Sequence, residues 1–434
     1  MKYVITTAQH NARPHKQFMT NLDLYCKRHK AELIILPVSG QTVKEDSLHP
    51  ELNALNILTK DFKLNENIKI SNYAIKPQQI NPLTGIRRFA PGDRSFIFAS
   101  PKQSLEYVPT GDDNIPKAII TTGACTEPNY NINNRIGRIA TKDHVIGALA
   151  VDITDNNYFH FRHLTAQKNG LFFDIDGKYD TRFRKLRSTL AFVVGDLHPY
   201  NVNPDHQACT LEQILHFKPK DVFMHDVFNA YSISHHAEGH FIKQHQIFER
   251  QGRNLEAELI ETLKEIKKYT EVTKGTVNVV PSNHDHHLYR YLDEGRFIDD
   301  KGNKLMAAHL YLAALKGYNP LEIGLKLVGE LPPNLNFLSN KGKKIKGIEL
   351  GRHGHLGANG ARGSLKAMEE AEHKSITGHG HSAQKIRNTY KVGTSTDFRI
   401  GYNDDGFSNW SQTNAVVYRN GLVQLLNTVN KEWR

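Results

Sequence analysis

Five short clusters of His, Asp and Asn punctuate the second half of this chain. They read Gly195-Asp196-Leu197-His198, His225-Asp226-Val227-Phe228-Asn229, Ser282-Asn283-His284-Asp285, His353-Gly354-His355 and Gly378-His379-Gly380-His381. Most follow an apolar run that reads as a strand. A carboxylate and an imidazole two residues apart at a strand end can both face one ion, as Asp196 and His198 would. Asp226, after the next apolar run, can bridge two ions. Asn283 offers a neutral amide oxygen, His284 beside it is free for acid chemistry, and His379 and His381 can be divided between the ions. Taken singly each cluster is weak. Five in this order supply enough donors for two metal ions sharing one carboxylate, which is the chemistry of phosphate-ester hydrolysis. Mixed oxygen and nitrogen donors suit manganese, iron or zinc better than magnesium or calcium.

The elements that must position these clusters alternate in type. Thr189–Gly195, Asp221–Met224, Thr276–Val280 and Ser375–Thr377 read as strands leading into four of the clusters. Arg253–Tyr269, Ala307–Leu315 and Leu365–Glu372 read as helices, and Val392–Thr396, Thr413–Arg419 and Leu422–Leu426 as closing strands, the last two joined by the hairpin signal Asn420-Gly421. Upstream, Lys2–Thr7, His15–His29 and Glu32–Val38 spell strand, helix, strand. Ser95–Ala99, Lys117–Thr122, His144–Val151 and Gly170–Phe173 are further strands in a region without a recognisable motif. The basic stretch Arg182, Arg184, Lys185, Arg187 marks a change of character. It suggests a boundary near 185, with an N-terminal α/β domain of unknown role at 1–185 and the cluster-bearing domain at 186–434; the competing reading is one shared domain.

Composition bounds the setting. A length of 434 residues favours two or three domains. The 39% hydrophobic and 23% charged residues fit a globular protein with a substantial core. No apolar run approaches the roughly 18–20 residues needed to span a bilayer, and the opening Met1-Lys2-Tyr3-Val4 lacks a signal-peptide core. Cys26, Cys125 and Cys209 are odd in number and scattered, so a cytoplasmic home is expected. The net charge of +11 favours polyanionic partners.

In this order the clusters resemble the calcineurin-like metallophosphoesterase superfamily, which carries Asp-x-His, Gly-Asp, Gly-Asn-His-Asp/Glu, His and Gly-His-x-His. The resemblance covers roughly residues 189–400. It implies an α/β fold, a two-sheet β-sandwich flanked by helices, here with an N-terminal α/β extension. It implies a first ion on Asp196, His198, Asp226 and His381 and a second on Asp226, Asn283, His353 and His379, with a hydroxide between ions about 3.5–4 Å apart as the attacking group. His284 would protonate the leaving oxygen, and Asp285 would either orient His284 or merely cap a turn. Three departures stand out: His225 replaces a usual Gly, Asn229 replaces a common second acid, and Ser282 replaces Gly. His353 is the preferred ligand over His355.

The substrate is less legible. The loop Gly357-Ala358-Asn359-Gly360-Ala361-Arg362-Gly363 resembles that of phage-encoded metallophosphoesterases, and the layout is similar to that of a phage early protein of host DNA degradation. DNA-repair nucleases of the SbcD type share the ligand set. The resemblance implies a manganese-dependent DNA nuclease, in the host cytoplasm if phage-encoded. His355, Asn359, Arg362, His225 and Asn229, with the His-rich run from Ser234 to His245, are the candidate substrate contacts. A small-molecule phosphatase or nucleotide phosphodiesterase, and a non-catalytic DNA-binding or scaffold protein, remain the alternatives. A homo-oligomer is compatible with an N-terminal half that has no other evident task.

Overall fold

Strands rich in Val, Ile and Phe, with few charges on either face, need cover on both sides. Ala191–Val193, Asp221–Met224 and Thr276–Val279 meet that need as neighbouring parallel strands, with the partly exposed Leu335–Phe337 parallel at the edge. The antiparallel pair Thr413–Val417 and Val423–Asn427 completes a six-stranded sheet against Ala191–Val193, turning at Asn420-Gly421 with Gly421 at φ 86°. The computed structural model describes the chain apart from residues 40–46, 74, 112–114, 235–240, 243–244, 246–253, 401–402 and 404–405. His235, His236, His240 and Lys243 of the His-rich run therefore lie outside the described residues.

One face of this sheet is covered by helices. Leu255–Val272 sets Leu255, Leu259, Leu263 and Ile266 on one stripe, and its N-terminus is capped by Asn254, which accepts from the Ala257 N–H. Its buried residues join Phe192, Phe217, Val222 and Val277 in a single core, to which each fully buried Phe contributes about 2–3 kcal/mol of transfer free energy. The helix Pro204–Phe217 connects the first two parallel strands, and Leu255–Val272 runs into the third. No helix among the described residues is long and apolar enough to cross a membrane.

The opposite face meets a ten-stranded sheet. Val193, Phe223 and Ala415 share a core with Ile97, Ile120, Ile376 and Tyr390. The ten strands come from both halves of the chain: Ser104–Val108 pairs antiparallel with Gln384–Ile386, joining strands before residue 122 to Ser375–Thr377 and Thr389–Lys391. This corrects the boundary near 185. The two segments do not have separate cores, because a long-range strand pairing stitches them into one sheet. A four-stranded sheet, Glu32–Val38, Lys2–Gln9, Gly147–Ile153 and Phe159–Thr165, adds Ile5 and Leu149 to the same core. Phe159–Thr165 is hard to see by hydropathy, since it buries Arg162 by pairing it with Asp174 and Asp152 at 2.9 and 3.1 Å. The expected strand Val392–Thr396 is instead an irregular segment after Thr389–Lys391. Its backbone bonds are divided among Thr377, Thr413, Ser411 and the Asp196 loop, where Asp196 N–H donates to Gly393 O and Ser395 N–H to Asp196 O.

Lys385 is buried where these sheets meet, donating to Gln103 Oε1 at 2.7 Å and Thr165 Oγ1 at 3.2 Å. Burial pushes its ammonium down to about 7. Between that value and the ordinary 10.5, the unfolded chain holds a proton that the folded chain lacks, so stability rises with pH across this window. Lys385→Met should remove that rise and stabilise the protein at pH 7 by roughly a few kcal/mol. Urea unfolding at pH 7 and pH 10 on both proteins checks this, and equal pH slopes would refute it.

Candidate metal centre

The clusters gather at the strand ends. Asp196 follows Ala191–Val193, Asp226 follows Asp221–Met224, and Asn283 opens the helix after Thr276–Val279. From the larger sheet come His353, beyond Ile348–Glu349, and His379 and His381, beyond Ser375–Thr377. Backbone bonds tie these loops together: Leu197 N–H donates to His225 O, His198 N–H to Asp226 O, and Gly378 N–H to His353 O. Four of the seven expected ligands hold left-handed backbone, His198 at φ 47°, Asp226 at 47°, His379 at 71° and His381 at 51°. Side-chain-bearing residues adopt that region at a cost of about 1 kcal/mol or more, and such strain concentrates where side chains must be aimed.

Two buried groups of donor atoms result, His198 with Asp226 and His381, and Asp196 with His225 and His353, each within 4.8 Å of one another. Either could hold a metal ion. Around the first, His198 Nε2 lies 3.0 Å from His381 Nε2 and 3.4 Å from Asp226 Oδ2, and Asp196 Oδ2 is 3.3 Å from His381 Nε2. Around the second, His353 Nε2 lies 3.2 Å from that same Asp226 Oδ2 and 3.0 Å from Asn283 Oδ1, which is 3.1 Å from His379 Nδ1. Asp226 stands between the two sets.

The electrostatics suit cations. Both oxygens of Asp196, Oδ1 of Asp226 and Nε2 of His225 are buried and have no hydrogen-bond partner among the described residues. Stripping a carboxylate of water costs several kcal/mol unless a charge replaces it. Burial, then the neighbouring Asp226, pushes Asp196 up to about 7. Asp226 is held well below the usual carboxylate range: burial opposes this, but His353 and His284 outweigh it. Burial would likewise lower His353, yet Asp226 raises it to about 9, so without metal His353 carries the proton that balances Asp226. Burial drives His198 and His379 to about 4 and His225 to about 3, leaving neutral imidazoles with lone pairs to give.

Several expected contacts fall elsewhere. His225 is fully buried with Nδ1 3.3 Å from His353 Nδ1, so it belongs among the donors rather than meeting substrate. Asn229 is also buried. Its Oδ1 accepts from His198 Nδ1 at 3.0 Å and its carbonyl from His284 Nδ1 at 2.7 Å, so one residue sets the tautomer of both rings. Asp285 does not orient His284. It completes a capping box with Ser282, accepting from the Ser282 N–H at 3.0 Å. His355 stays outside the donor groups and faces His286, Nε2 to Nδ1 at 3.4 Å. Asn359 and Arg362 are exposed on a small loop closed between Leu356 and Arg362. Sequence reasoning missed His286, which the run His284-Asp285-His286-His287 did display, and Trp410, which stands edge-on to His381 at 4.2 Å.

The chain is similar to a phage protein. It is 29% identical over 468 aligned positions to Protein A1 of Escherichia phage T5, an alignment covering 99% of this chain and 82% of that relative. No family model matches the chain, and no solved structure matches it.

The glycines of the last cluster have separate reasons. A Cβ on Gly378 would sit 2.1 Å from Asp196 Oδ1, whereas one on Gly380 would meet the Lys391 Nζ at 2.3 Å. The carboxylate is fixed and the lysine tip can swing. Gly378→Ala should therefore weaken metal binding by about 10–100-fold and Gly380→Ala by much less. Titration against a chelating dye measures both, and equal losses would refute the distinction.

Proposed function

We propose that this chain is a dimetal phosphoesterase of the calcineurin-like type, a manganese-dependent DNA nuclease of phage origin acting in the host cytoplasm. The observation that carries the reading is Asp226 Oδ2 standing between His198 Nε2 and His353 Nε2, with His284 beside the donors and outside both donor groups. A core shared by a six- and a ten-stranded sheet, with donors at the strand ends, supports it. So does similarity to a phage protein along 99% of the chain.

One ion fits Asp196, His198, Asp226 and His381, the other Asp226, Asn283, His353 and His379, with His225 beside the second. Bound there, the ions would supply charge neutralisation at the phosphoryl group and activation of water. The chain's own part is orientation and proton transfer. Asn229 holds His198 with Nδ1 protonated, which frees Nε2 as a donor. The same residue's carbonyl holds His284 by Nδ1, which leaves Nε2 to pass a proton to the departing oxygen. The net charge of +11 supports a polyanionic substrate, and mixed donors support manganese, with iron or zinc as competitors.

The deciding experiment is digestion of linear and circular DNA beside a nucleotide panel, with each metal in turn and with Asp226→Ala and His284→Ala as controls. Metal-dependent DNA hydrolysis lost in both variants supports the reading. Turnover of nucleotides with intact DNA would transfer the site to small substrates.

A further inference from the structure

The basic stretch at 182–187 has no part in the metal centre. Arg182–Lys185 is the outer strand of a three-stranded sheet, after Phe172–Asp174 and Gly177–Asp180. Arg182, Arg184, Lys185 and Arg187 are all exposed. Nearby acids are already taken: Asp180 by Lys178 at 2.9 Å, Asp176 by Arg28 at 2.9 Å and Asp23 by Lys27 at 2.6 Å. In register, Arg184 lies opposite Lys178, a pairing of like charges that weakens a sheet.

The strand is nonetheless firmly held. Phe183 carries the Arg28 guanidinium 3.6 Å from its ring centroid and packs on Tyr179 at 5.4 Å. A Cβ on Gly177 would come within 2.3 Å of Arg184 O, so glycine lets the outer strand lie close. Arg182 and Arg184 share the face away from Phe183, about 6–7 Å apart along the strand. Charges on an edge also guard against unwanted strand pairing, but either sign serves that purpose. Here all four are positive.

We propose that the edge Arg182–Lys185, with Arg187, is an anchor for the phosphodiester backbone of DNA, separate from the metal centre. The choice of DNA rests on the nuclease reading above, and the test keeps the two apart. The full chain, in EDTA so that no hydrolysis occurs, is titrated against labelled duplex over a range of salt. A variant with Arg182→Glu, Arg184→Glu, Lys185→Glu and Arg187→Glu keeps a charged, guarded edge of the opposite sign. It should bind about tenfold or more weakly, and the slope of log affinity against log salt should shrink by up to about 3–4, at about 0.9 for each lost phosphate contact. A second variant, Arg182→Lys, Arg184→Lys and Arg187→Lys, should retain binding. Hydrolysis of a small chromogenic diester with manganese should be equal in all three proteins, and it reports the metal centre independently. The proposal fails if the reversed variant binds duplex like the parent. It also fails if the parent binds anionic lipid vesicles through these residues and ignores duplex.

Discussion

Asp226→Ala should abolish metal-dependent hydrolysis, with a loss of about a thousandfold or more. The carboxylate lies 3.4 Å from His198 Nε2 and 3.2 Å from His353 Nε2, so its removal opens both donor sets at once. Metal ions contribute several kcal/mol of transition-state charge stabilisation, and each 1.36 kcal/mol is about tenfold in rate. The variant also loses the largest of the charges that raise His353, so that imidazole holds its proton less tightly. Metal content by mass spectrometry after gel filtration should fall from two equivalents to at most one. Asp196→Ala removes an oxygen 3.3 Å from His381 Nε2 and one grouped with His225 and His353, but it leaves Asp226 in place and should retain more metal than Asp226→Ala. An Asp226 variant that keeps two ions and full activity would remove Asp226 from the bridging position.

What the sequence disclosed follows from how local each signal is. The parallel strands at Asp221–Met224 and Thr276–Val279 are legible because strands buried on both faces are mostly apolar, Asn278 being the buried polar exception. The donors are legible because Asp196 with His198, and His379 with His381, lie close in sequence at strand ends. Long-range partners leave no such mark. Nothing near Asn229 tells that its oxygens hold rings 31 and 55 residues away. Nothing near Ser104–Val108 tells that its neighbour is Gln384–Ile386, so the change of composition at 182–187 looks like a boundary when the sheet runs through both halves. The departures from the family pattern, His225 and Asn229, look like substrate contacts only while their burial is unknown. Buried, His225 becomes a member of a donor group and Asn229 the support of two imidazoles.

His284→Ala should separate proton transfer from metal binding. The ring is fixed by one hydrogen bond, Nδ1 to the Asn229 carbonyl at 2.7 Å, and stands edge-on to His198 with ring centres 5.0 Å apart. Its Nδ1 is engaged by the Asn229 carbonyl and the proposed assignment gives it to neither ion, so the variant should keep both metal equivalents. General acid catalysis is worth about 10²–10⁴-fold, and only when the leaving group needs a proton. The alkoxide expelled from DNA needs one, whereas a p-nitrophenolate departs unaided. Hydrolysis of DNA should therefore fall by about 10²–10⁴-fold in this variant, while the p-nitrophenyl diester falls far less. Asn229→Ala removes the Oδ1 that fixes His198 but keeps the carbonyl that fixes His284. It should therefore weaken metal binding and slow both substrates alike. Equal losses on both substrates for His284→Ala, with two metals retained, would mean that the imidazole stabilises charge rather than donating the proton. Loss of metal in that variant would make His284 a ligand, and the division of labour around Asn229 would have to be redrawn.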